Sequence, residues 1–118
     1  DLESVKNHDW VCDKKKLLKI ISKNNKGVVF YCGIASNLSD LFSLFDEAFL
    51  LVASPKTIRK RLNRRKSKEF GNILEVQEHV ISWKRWWENE MLKKGAIKIN
   101  ANKKLLEVVE DILNKVNS

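Results

Sequence analysis

"EAFLLVASPKTIRKRLNRR", residues Glu47 to Arg65, decides how this chain is read. Its first part, "AFLLV", is an unbroken apolar run of strand length, which is how a strand buried on both faces reads. Ser54-Pro55 then marks a helix start. A serine hydroxyl accepts from the unpaired N–H groups of a first turn, and a proline there lacks only a donor that had no partner. The basic run beyond it is therefore expected to be helical at least as far as Arg65. A buried strand passing directly into a helix is the repeating unit of α/β sheets.

The same alternation extends both ways. Upstream, "GVVFYCG" is a β-branched and aromatic run bounded by Gly27 and Gly33, and it reads as another buried strand. Before it, "DKKKLLKIISKNN" carries Leu17, Leu18, Ile20 and Ile21 on a helical period and stops at Asn24-Asn25. Between the two strands, "NLSDLFSLF" reads as a short amphipathic helix. Downstream, a long helix from about Ile73 to Lys94 aligns Ile73, Val76, Val80, Trp83, Trp87 and Met91, and Gly95 is its expected C-cap. "AIKIN" reads as a third, short strand. "LLEVVEDILNKV" closes with Leu105, Val109, Ile112 and Val116 as one stripe. The order α-β-α-β-α-α-β-α predicts one three-layer α/β/α domain over residues 1–118, with a three-stranded parallel sheet. Ligands of such sheets bind at the C-terminal strand ends, which puts "CGIASN", "ASPK" and "NANKK" on one functional edge.

Composition narrows the class. The 118 residues suit one domain, and 43% hydrophobic with 32% charged residues suit a globular protein. No apolar run approaches membrane-spanning length, and "DLESVKNHDW" lacks the pattern of a secretory signal. Cys12 and Cys32 have no metal-ligand spacing and are expected as reduced thiols, which points to the cytoplasm. The net charge of +8 allows nucleotides, nucleic acids or acidic surfaces as partners.

Much of that charge lies in Arg59, Lys60, Arg61, Arg64, Arg65, Lys66 and Lys68, with no acid before Glu69. On a helix Arg61 and Arg65 share a face, with Arg64 beside them, and converging guanidiniums can fork onto phosphate oxygens. The alternative is a solvated charged helix. In "YCGIASN", small residues after a strand let backbone N–H groups approach a ligand, or Ser36 or Asn37 simply caps the next helix. "NANKK" offers the same choice, with Asn102 as the cap. Trp83, Trp86 and Trp87 stand at helical spacing and read as packing residues, with Trp86 offset. His8 and His79 have no partners that suggest catalysis or a metal, and Asp46 with Glu47 lies at a strand's entrance, the wrong end for a catalytic pair.

Taken together, "VVFYCGIASN", "LFDEAFLLVASPKTIRKRLNRR", "FGN" and "GAIKINANKKLLEVVEDIL" resemble the C-terminal two-thirds of P-loop nucleotide-kinase-like NTPases, the small shikimate-kinase-like and adenylate-kinase-like proteins. The similarity runs from about Trp10 to the end of the chain. The most specific piece is the strand-Pro-helix segment with Arg61 and Arg65, followed by Phe70-Gly71-Asn72. It implies a basic lid-like segment over residues 59–72 and ATP with Mg²⁺ as cofactors. Arg61 would flank the adenine. Arg65, assisted by Arg64, would contact the transferred phosphates. Asn100, Ala101 and Asn102 would line the adenine edge, and Cys32, Gly33 and Asn37 would face the phosphate acceptor. The departure is equally specific. None of Gly27, Gly33, Gly71 and Gly95 opens a Gly-Lys-Ser or Gly-Lys-Thr phosphate cradle, so the Mg²⁺ ligands are not in this chain. The resemblance then implies either the C-terminal portion of a larger kinase-like domain or a degenerate copy whose strands have closed up. The functions expected are nucleotide binding for phosphoryl transfer to a small acceptor or, alternatively, a non-catalytic basic module that binds RNA or another polyanion.

Overall fold

A computed structural model describes residues 11–66 and 72–117. The described residues separate into two compact units, one within Asn7–Asp46 and one within Glu47–Ser118. The expected break at Phe70-Gly71 and the residues Trp10, His8, Lys68 and Glu69 lie outside the described residues.

The first unit holds helix α1, Lys14–Lys23, and a short helix α2, Leu38–Leu41, continued by a 3₁₀ turn over Phe42–Leu44. Asp13 caps α1 by accepting from the Lys16 N–H at 3.2 Å, and Asn24 closes the other end by donating to the Ile20 carbonyl at 2.8 Å. Between the helices the chain forms no regular element. Here the structure corrects the sequence reading: residues 28–32 form no strand, and Val28 and Phe30 are 65% and 54% exposed. A β-branched run becomes a strand only when a neighbouring edge takes its N–H and C=O groups, and no described strand does so here. Tyr31 instead stacks at a tilt on Phe45, with ring centroids 5.8 Å apart.

The second unit carries the sheet. Strand β1, Phe49–Val52, pairs in parallel with strand β2, Ile97–Asn100, in the register Phe49 to Ile97 and Val52 to Asn100. The described sheet thus has two strands rather than the expected three, and the fold is mixed, broadly α/β. The crossover between the strands consists of helix α3, Pro55–Asn63, and helix α4, Leu74–Lys93; helix α5, Leu105–Val116, follows β2. Ser54 caps α3, its hydroxyl accepting from the Thr57 N–H at 3.2 Å, with Pro55 in the first turn. The helix ends at Asn63, two residues short of the expected Arg65.

Gly95 stops α4 with φ +95°, a conformation in which any Cβ is strained. The Gly95 and Ala96 N–H groups donate to the Leu92 and Met91 carbonyls, so the turn satisfies carbonyls the helix leaves open. The core gathers Ile99, Ala53, Ala101 and Val108, with Phe49, Ile58 and Ile112 packed around them. Val108, not Val109, is the buried valine of α5, and Leu105 is 77% exposed. Of the stripe expected on α4, Val76 and Met91 are buried, while Trp83 and Trp87 are half-buried and meet edge to face, 6.0 Å between centroids.

Gln77 is the one buried polar side chain among the described residues, 1% exposed. Its amide donates to Asn63 Oδ1 at 2.7 Å and to the Asn72 carbonyl at 3.3 Å, joining the end of α3 to the start of α4. Gln77→Ala removes both bonds and opens a void, so unfolding in urea should show a loss of about 1–3 kcal/mol. A loss below about 0.5 kcal/mol would mean that this junction contributes little to stability.

Candidate functional site

Parallel pairing puts both strand exits on one side, and the two segments that follow them meet there. Asn102 makes the join: its Oδ1 accepts from the Ser54 N–H at 2.9 Å, while its own N–H donates to Asn100 Oδ1 at 2.9 Å. The loop after β2 is thereby fastened to the first turn of α3. Arg61 adds a second tie, its Nη2 donating to the Lys103 carbonyl at 3.0 Å.

These ties border an open groove of about 760 Å³, within the usual range for small-molecule sites. Its apolar lining comes from Leu51, Ala101, Leu105 and Val108. Its cationic walls come from two directions: Lys60, Arg61 and Arg64 from α3 and the turn after it, Lys103 and Lys104 from the loop after β2. Thr57 and Asn102 complete it. Lys103 also pairs with Asp111 at 2.9 Å, and that hydrogen bond, with the carboxylate's charge, raises the ammonium pKa above its ordinary value. Lys103 is therefore fully charged at neutral pH. Helix α5 begins at this groove with Lys104 as its N-cap residue and no side-chain cap. Its first-turn N–H groups carry partial positive charge, offset by Glu107 of the same turn.

The structure brings Arg61, Arg64, Ala101 and Asn102 to one groove. It adds Lys60, Thr57, Lys103 and Lys104, which sequence reasoning did not single out. The signal for the lysines was present in "NANKK": a basic pair directly after a strand end, on the edge where parallel sheets bind ligands. Asn100 sits at the exit of β2 and turns its side chain to the Asn102 N–H. Arg65 is exposed just past the C-cap and is not among the residues that line the groove; its carbonyl accepts from Asn72 Nδ2 at 2.6 Å. Asn102 does not cap α5; it fastens the loop to α3.

The acceptor-side candidates lie in the other unit. Asn37 makes no side-chain cap on α2, because its amide both accepts from the Cys12 N–H at 3.0 Å and donates to the Cys12 carbonyl at 2.9 Å. Gly33 has φ +136°, which favours glycine, and Cys32 is exposed. Burial, followed by a hydrogen bond with the Cys12 side chain, raises the Tyr31 pKa.

The cationic groove has the chemistry to hold a polyphosphate against an apolar surface, as ATP requires. It does not have the chemistry to hold Mg²⁺. Magnesium takes hard oxygen ligands, usually carboxylates, and no Asp or Glu lines the groove. Among the described residues no cluster of His, Cys, Asp and Glu is arranged to hold a metal ion, and no helix is long and apolar enough to cross a membrane. In comparisons with family models, curated proteins and solved structures, the chain matches none.

Proposed function

We propose that the groove binds ATP as the nucleotide of a phosphoryl-transfer reaction to a small acceptor. One observation carries this reading: cations of α3 and its C-cap and of the loop after β2 line one groove with apolar residues at the strand exits. A nucleotide has two unlike ends, a flat, largely apolar base and a polyanionic tail. The apolar lining of Leu51, Ala101, Leu105 and Val108 suits the first, and the cationic lining suits the second. Arg61, held by the Lys103 carbonyl, is oriented before a ligand arrives, which lowers the entropy cost of binding. Arg64 and Lys60 are the cations that would meet charge developing on a transferred phosphoryl group, a role of position and electrostatics rather than bond making. On this reading β1, β2 and their helices are the nucleotide side of a kinase-like α/β sheet, working in the cytoplasm.

A second reading has its own motive. The five cations lining the groove face no lining carboxylate, as in a site that tracks a nucleic-acid backbone. Calorimetric titration separates the two. Nucleotide binding predicts saturable ATP binding in roughly the micromolar to millimolar range, about −4 to −8 kcal/mol. The nucleotide reading is sunk if ATP shows no saturation while a short single-stranded RNA binds and is released steeply by salt.

A further inference from the structure

We infer that the groove takes the polyphosphate free of divalent metal, as ATP⁴⁻, and that Mg²⁺ competes with the protein for it. This rests on the nucleotide reading above and adds the ionic form of the ligand. The donor set is the reason. Lys60, Arg61, Arg64, Lys103 and Lys104 present only N–H donors and positive charge to the groove.

The two lining side chains that carry oxygen are already engaged. Thr57 Oγ1 lies 3.0 Å from Ser54 Oγ in a hydrogen bond, and Asn102 Oδ1 accepts from the Ser54 N–H. Asp111 reaches a lining residue, but its carboxylate is held by Lys103 Nζ at 2.9 Å. A magnesium ion on the phosphates would find no carboxylate in the lining. It would occupy oxygens that these cations otherwise contact, and place its own charge among theirs. Chelated ATP carries two fewer negative charges, so each cationic contact is worth less. At solvent-exposed sites, losing two such contacts weakens binding roughly threefold to thirtyfold.

The experiment is calorimetric titration of ATP into the full chain, once in EDTA and once in excess MgCl₂ at matched ionic strength. Binding at least about threefold tighter in EDTA is the expected result. Lys60→Ala combined with Lys104→Ala, checked for folding by circular dichroism, should weaken binding in EDTA and bring the two conditions closer together. Equal affinity, or tighter binding with Mg²⁺, overturns the inference and leaves the nucleotide reading standing. Absence of ATP binding under both conditions overturns both.

Discussion

Arg61→Ala combined with Arg64→Ala should weaken ATP binding about thirtyfold, equivalent to about 2 kcal/mol. The size follows from the contacts available. A charge-assisted hydrogen bond contributes about 1.5–3 kcal/mol when well formed, and less in an open groove where water screens it. Two guanidiniums at exposed positions therefore contribute about 1 kcal/mol each. Arg61 also has a second task, since its Nη2 holds the Lys103 carbonyl. Its loss frees the loop after β2 as well as removing a contact, so the double variant should exceed the sum expected for two independent surface charges. Titration at rising salt provides the check. Between about 0.05 M and about 0.5 M salt the unmodified chain should lose affinity steadily, and the double variant should lose much less. A double variant that binds ATP as tightly as the parent would remove the groove from the proposal.

Ile99→Ala should destabilise the protein by about 2–4 kcal/mol. Ile99 is 2% exposed and sits in β2 between Ala53, Ala101 and Val108. Two of those neighbours are alanines, which have no side chain to swing into a void. Only Val108 and the surrounding Phe49, Ile58 and Ile112 can shift toward the void, which limits the collapse that softens many truncations. Against a typical total of about 5–15 kcal/mol this is a large share. Urea unfolding followed by far-ultraviolet circular dichroism gives the value. A loss under about 1 kcal/mol would show that the small core around β2 is not the main source of stability.

The sequence was most legible where a single residue's stereochemistry decides the outcome. Ser54-Pro55 starts α3 and Gly95 ends α4, because capping and a positive φ are local matters. It was least legible where the outcome depends on a partner. "VVFYC" has strand composition, but no described strand lies beside it and none forms there. Helix α5 shows a subtler limit. In "LLEVVEDIL" two leucines and then two valines stand side by side, so two stripes fit the helical period about equally well. Packing against β2 selects the one through Val108 and Ile112 and leaves Leu105 in solvent.

The groove was half legible. Arg61, Arg64 and Asn102 were readable from helical spacing and from the rule that parallel sheets bind at strand exits. Lys60 and Thr57 were not, because which side of α3 faces the loop depends on ties made 48 and 42 residues away in sequence, by Ser54 to Asn102 and Arg61 to Lys103. Asn37 and Asn102 both read as helix caps, and both use their amides on distant backbone instead. An asparagine's short-range options are visible in sequence; its long-range ones are not.

The pairing of β1 with β2 also sets an order of events during synthesis. Phe49 pairs with Ile97, so the first ladder contact joins residues 48 apart in sequence. No hydrogen bond between β1 and β2 can form until the ribosome has released the chain through Ile97. Until then the edge and face of β1 that meet β2 stay uncovered. The entropy of closing so long a loop must be met in one late step, rather than in the small increments a hairpin allows. For this chain, β2 is the part that turns a set of helices into a fold.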